Sequence, residues 1–186
     1  MTVAISRNGY IKMQGTTNLQ ASSGTLTGTL TVSDKTVWNV GLYTFALQIA
    51  DELTSTGYIE IYFPDSVIST QTTNCATLSG TGVNNVPSCS YDSAQNMITL
   101  SNIATGSLSP QTLTINILQV QNPPSIKPTG TFSLKTYYTS SSGSLVAEGV
   151  IAGITPTVGS IDTATASIIS DNNIVYASPA TYDFVF

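Results

Sequence analysis

The chain of 186 residues carries only 8% charged side chains, five basic against ten acidic, for a net charge of -5. That length allows one sizeable core but no elaborate multidomain machine, and its basic residues (Arg7, Lys12, Lys35, Lys127, Lys135) are scattered, which excludes nucleic acid and anionic membranes as partners. No run of about 18 apolar residues offers a membrane span, and the absence of histidine excludes Ser-His-Asp and Cys-His catalysis and ordinary zinc sites.

Ser and Thr make up more than a quarter of the sequence, so hydroxyls rather than ions carry the surface. With Val, Ile and Tyr prominent, the chain has the propensities of pleated strands, and almost no helix is expected. The opening MTVAISRNGYIKMQG lacks the basic, apolar and small-residue succession of a signal peptide. Either a leader has been removed or the chain is a segment of a longer protein, and the second is the expectation.

In chain order, the period of two that marks half-buried strands recurs throughout. TLTGTLTVS places Thr25, Thr27, Thr29 and Thr31 outward and Leu26, Leu30 and Val32 inward. GLYTFALQI turns Tyr43, Phe45, Leu47 and Ile49 inward, and GYIEIYFP turns Ile59, Ile61 and Phe63 inward with Glu60 outward. NMITLSN follows with Ile98 and Leu100, QTLTINILQV with Leu113, Ile115 and Ile117, GTFSLKTYYT with Phe132 and Leu134, and SLVAEGVI with Val146 and Val150. Turn residues separate the runs at Ser33-Asp34, Thr56-Gly57, Asn84-Asn85, Ser107 to Pro110, Asn122-Pro123-Pro124 and Ser142-Gly143. About seven strands without intervening helical pattern indicate an all-β, antiparallel Ig-like two-sheet β-sandwich. Pro123, Pro124 and Pro128 cannot donate to a ladder, so their segment is read as a crossover between sheets.

Cys75 and Cys89 flank CATLSGTGVNNVPSC, which has little apolar material to hold it. A disulfide is the natural staple for such a loop and implies an oxidising compartment; two reduced, buried cysteines are the alternative. Gly80-Thr81-Gly82 within it lacks the following Lys and helix of a phosphate loop and reads as a flexible loop.

The sequence also matches itself. NGYIKMQG near the N-terminus parallels SGSLVAEG, and LTVSDKTVWNVGLYTFAL parallels ASIISDNNIVYASPATYDFV, with Ser33-Asp34 falling on Ser170-Asp171 and Tyr43-Thr44-Phe45 on Tyr182-Asp183-Phe184. The offset drifts along the chain as small insertions would make it drift. Residues 1–24 are then the tail of one repeat, 25–158 a full module, and 159–186 the head of the next.

GYIEIYFP, the short Cys-to-Cys loop and LTINILQVQNPPSIKPTGTFSLKTYY together resemble repeats of very large, Ser/Thr-rich surface proteins of ciliates. The resemblance covers roughly residues 25–155 and is most specific over Asn122 to Gly130. It implies secretion, tandem repetition and a structural or adhesive role, and it carries no catalytic residues.

Among candidate sites, Glu60, Asp65 and Glu148 could supply a carboxylate pair for glycosidic chemistry, but each lies in a strand or turn where a solvated carboxylate is the ordinary outcome. Asp51-Glu52 is too small an acidic cluster for calcium. Trp38, Tyr137 and Tyr138 could form a platform for sugars, though packing is the commoner fate of such rings. No enzyme and no cofactor is expected. The expected function is a structural module, partnered by other copies or neighbouring repeats through strand exchange or end-to-end packing. Ile161, Ile168, Tyr182, Phe184 and Phe186 are the candidate assembly-strand residues. The alternative is an adhesin that binds a glycan or protein receptor through its loops, with the Cys75–Cys89 loop as the contact.

Overall fold

The computed structural model describes residues 2–7, 10–16, 23–139, 143–160, 165–168 and 182–185, the four terminal strands by backbone alone. Fifteen strands occur among them: β1 (Thr2–Arg7), β2 (Tyr10–Thr16), β3 (Gly24–Thr25), β4 (Thr27–Val32), β5 (Val40–Ile49), β6 (Tyr58–Tyr62), β7 (Ile68–Ser69), β8 (Ala76–Ser79), β9 (Ser88–Asp92), β10 (Met97–Ser101), β11 (Gln111–Gln121), β12 (Phe132–Tyr137), β13 (Leu145–Ile151), β14 (Thr165–Ile168) and β15 (Tyr182–Val185). No helix among the described residues is long and apolar enough to cross a membrane.

Two sheets make an antiparallel, Ig-like β-sandwich. The first runs β3-β13-β12-β6-β10-β9; the second runs β4-β5-β11-β7, with β8 also paired to β11. Only β3 on β13 is parallel among the strand pairs of the sandwich. The alternation read from the sequence places the core: Tyr43, Phe45, Leu47, Ile59, Ile61, Ile98, Leu113, Ile115 and Phe132 are fully buried. Phe132 is the hub, with its ring 5.4 Å from Phe45, 5.6 Å from Phe63 and 6.1 Å from Tyr43. Tilted and edge-on pairs of this kind add roughly 0.5–1.5 kcal/mol each beyond the area they bury.

The chain changes sheets at Leu26. Gly24 and Thr25 pair with Ala147 and Glu148 of the first sheet, the Leu26 amide donates to the Glu148 carbonyl at 2.8 Å, and Thr27 onward pairs with β5 of the second. Glycine makes this close crossing possible, because a Cβ on Gly149 would run into the Leu26 backbone. Leu26 therefore closes one side of the core at 4% exposure while the threonines around it face water.

Three sequence expectations need correction. Val150 is not a core residue: it is exposed, and Ile151 is buried in its place. The β12–β13 ladder slips between Thr136 and Tyr137, where Thr136 faces Ala147 and Tyr137 faces Leu145. Val146 is the extra residue of that bulge, so the inward phase beyond it falls on Ala147, Gly149 and Ile151. The Cys75–Cys89 segment is not a loosely held loop either, since it contains β8, whose Ala76 and Leu78 are buried. Gly80 to Gly82 is a fixed turn in which the Thr81 amide donates to Gln111 Oε1 at 2.7 Å and Gln111 Nε2 returns a bond to the Thr81 carbonyl at 2.9 Å.

Candidate functional site

The disulfide between Cys75 and Cys89 forms, with Cα atoms 5.5 Å apart. Its place gives it a larger task than closing a loop. Cys75 leads into β8 of the second sheet and its carbonyl accepts from the Leu118 amide, whereas Cys89 lies on β9 of the first, opposite Leu100. Both half-cystines are buried, so the bridge fastens the two sheets through the core.

The module has two distinct ends. At the leading end the chain arrives beside β13 through β3, among the turns at 50–57 and 102–110. Leu53 and Leu108 plug this end, each bonding the other's backbone at 3.1 and 2.7 Å, and Asp51 and Glu52 lie exposed beside them. At the trailing end the chain leaves through Thr157, whose amide donates to the Lys35 carbonyl at 2.8 Å and whose carbonyl accepts from Val37 at 2.9 Å. Since β3, β4 and β13 traverse the sandwich in the same sense, arrival and departure are separated by about 30 Å, the length of a nine-residue strand.

Asn122 organises the trailing end. It is 1% exposed; its Oδ1 accepts from Tyr43 Oη at 2.6 Å, and its Nδ2 donates to the carbonyls of Asp34 and Thr36 at 2.9 and 2.7 Å. Asp34 caps the same loop, accepting from Asn39 Nδ2 and the Thr36 amide, and these bonds, that from Asn39 foremost, hold its carboxyl below the usual range. The loop so fixed presents Trp38 outward, 61% exposed at a left-handed φ of 63°, uncommon for a bulky residue. Ile126, Val40 and Val158 add exposed apolar surface at this end, and Lys35 and Lys127 flank it.

The terminal strands form two separate hairpins. In β1–β2, Val3 faces Gly15, Ala4 faces Gln14 and Ile5 faces Met13; the ladder then skips Lys12, and Ser6 faces Ile11. In β12–β13, Leu134 faces Gly149, Lys135 faces Glu148 and Thr136 faces Ala147; the ladder then skips Val146, and Tyr137 faces Leu145. Register and bulge coincide. In β14–β15, Ala166 faces Phe184, Ser167 faces Asp183 and Ile168 faces Tyr182, as in β4–β5 Leu30 faces Phe45, Thr31 faces Thr44 and Val32 faces Tyr43. Of the assembly candidates, Ile168, Tyr182 and Phe184 thus lie on this hairpin, while Ile161 and Phe186 fall outside the described residues.

The aromatic candidates do not come together. Trp38 is at the trailing end and Tyr138 at the leading end, while Tyr137 stacks on Tyr58 with ring centroids 4.4 Å apart on the outer face of the first sheet. The alternation of GYIEIYFP puts Tyr58 on the outward face with Glu60, but only the pairing of β6 with β12 brings Tyr137 beside it. Beside this stack the Glu60 carboxylate accepts from Tyr62 Oη at 2.8 Å and from Tyr137 Oη at 3.1 Å, and Lys135 Nζ sits 5.1 Å from the centre of the Tyr62 ring. Burial, reinforced by the bonds to Glu60, raises both phenols, Tyr62 to about 12. Of the three carboxylates considered, Glu60 and Glu148 flank Lys135 on adjacent strands and Asp65 lies past the end of β6. An open groove of about 690 Å³ runs along this face, lined by Thr56, Tyr58, Glu60, Met97, Thr99 and Ser101 among others.

No protein-family model and no curated protein sequence matches the chain. Among solved structures it is similar to BslA, a bacterial hydrophobin, at 17% identity and a TM-score of 0.39 over 71% of this chain and 98% of that one. It is similar to the second type II cohesin module of the adaptor ScaA scaffoldin of Acetivibrio cellulolyticus at 12% identity and 0.43, over 77% and 95%. It is also similar to the collagen-binding domain of a Staphylococcus aureus adhesin at 12% identity and 0.36, over 72% and 99%.

Proposed function

We propose that the chain is a stretch of a tandem-repeat β-sandwich protein of a secreted coat or filament, structural rather than catalytic, with consecutive modules joined end to end. The observation that carries this reading is the hairpin correspondence. Strand register follows hydrophobic pattern and turn geometry, and bulges are retained features of a fold rather than accidents. Two hairpins that repeat the last and first hairpins of the sandwich, one down to its bulge, argue for the tail of a preceding unit and the head of a following one.

The two ends support a linear arrangement. A chain that arrives at one pole and leaves at the other strings its modules along their long axis. The exposed Trp38, Ile126 and Val158, with Lys35 and Lys127, would meet a neighbour's leading end bearing Asp51 and Glu52. A buried inter-sheet disulfide suits an oxidising, extracellular setting, as does the resemblance to ciliate surface repeats.

Electron cryo-microscopy of the native material tests the proposal. Density repeating every ~40 Å along a fibre, about the length of an eleven-residue strand with its loops, is the expected result. Discrete single sandwiches with no axial repeat would overturn it.

A further inference from the structure

We infer that the outer face of the first sheet is a binding site for a neutral oligosaccharide, seated in the groove over β6 and β10 beside the Tyr58–Tyr137 stack. The inference stands apart from the tandem-repeat reading, because it rests on side chains within one sandwich.

The groove has an unanswered polar group. Tyr58 is only 4% exposed, and its phenolic oxygen is buried without a hydrogen-bond partner. Buried hydroxyls are nearly always bonded, so a native exception calls for a specific explanation. The groove beside this ring supplies the space for such a partner, at a volume within the range of small-molecule sites.

The lining selects the ligand class. Tyr58 and Met97 give an apolar floor, and Thr56, Thr99, Ser101 and Thr139 give hydroxyls that both donate and accept. Gln95 adds an amide. Glu60 is held in place by two tyrosine donors, and a carboxylate has further lone pairs to offer. A sugar ring matches this set, with a face of C–H groups for the aromatic floor and a rim of hydroxyls for the walls. A purely apolar ligand would strand Glu60 and the Tyr58 hydroxyl. An added peptide strand needs a free sheet edge, whereas β6 and β10 each have neighbours on both sides. Acidic polysaccharides and nucleic acids would meet Glu60 and a chain of net charge -5.

The test is calorimetric titration of the whole chain with neutral hexasaccharides: β-1,4-glucan, β-1,4-linked N-acetylglucosamine and α-mannan. At least one is expected to bind with a dissociation constant below the millimolar range. Tyr58→Phe keeps the ring and removes only the unpartnered hydroxyl, so it should weaken that binding at least tenfold without lowering the thermal midpoint of the free protein. Glu60→Gln should weaken it as well, and ligand-induced shifts of the Met97 methyl resonance would place the sugar in the groove. No binding by any of the three at millimolar concentration overturns the site. So does binding that Tyr58→Phe and Glu60→Gln leave unchanged, or that never shifts Met97.

Discussion

Asn122 joins the Asn-Pro-Pro stretch to the rest of the trailing end. Its side chain answers the Tyr43 hydroxyl and two carbonyls of the 34–36 loop, while its amide donates to the Asn39 carbonyl at 2.8 Å. Removing the carboxamide leaves the buried Tyr43 hydroxyl and the two part-buried carbonyls of Asp34 and Thr36 without this partner, and a buried polar group so left costs about 1–3 kcal/mol. Asn122→Ala is therefore expected to destabilise the module by roughly 3 kcal/mol or more, read as a lowered urea midpoint at an unchanged slope. The tyrosines make a second prediction. Tyr43, Tyr58, Tyr62 and Tyr137 all ionise later than a free phenol, whose value is near 10, and burial is the leading cause for each. Above about pH 10 the unfolded chain loses these protons before the folded one does, so it binds fewer of them and stability falls as pH rises. The contribution is complete below pH 10 and is lost as pH climbs through the folded values, that of Tyr62 being about 12. Urea unfolding between pH 8 and 12 should show a flat region and then a decline, and Tyr62→Phe should make the decline shallower.

At the scale of elements, β13 shows where alternation misleads. Counting by twos from Val146 places Val150 inward, but Val146 is the bulge residue and the count restarts at Ala147. Val150→Thr should change stability by less than ~0.5 kcal/mol, as an exposed substitution does, whereas Ile151→Ala should cost about 2–5 kcal/mol. Thermal or urea unfolding of the two variants separates them. Strand β8 was hidden for a different reason. A four-residue strand among Ser, Thr and Gly has too short a pattern to stand out, and Ala76 and Leu78 become core residues only because β11 lies alongside to pair with them. The long strands β5 and β11 needed no such help, for their apolar phase is unbroken from Tyr43 to Ile49 and from Leu113 to Ile117.

For the whole molecule, the disulfide is a covalent cross-link between the two layers, added to the chain's own crossing at Leu26. With its half-cystines fourteen positions apart in the chain, the chain-entropy model gives a contribution of about 3 kcal/mol. Cys75→Ala with Cys89→Ala, or reduction of the native protein, is expected to lower unfolding free energy by about that amount, measured by urea denaturation with and without reductant. The terminal hairpins belong to this scale too, since among the described residues neither adds a strand to the sheets of the sandwich.

The sequence by itself determined the all-β class, the inward residues of the long strands and the cysteine pair. These depend on side-chain period, on composition and on residue order, which are local properties of the chain. Only the tertiary structure decided that the disulfide spans two sheets, that Val146 shifts the phase of β13, that Asn122 reaches Tyr43, and that Tyr58, Tyr137 and Glu60 share one face. Each of these depends on which strands become neighbours, and that is settled by packing between segments far apart in the chain.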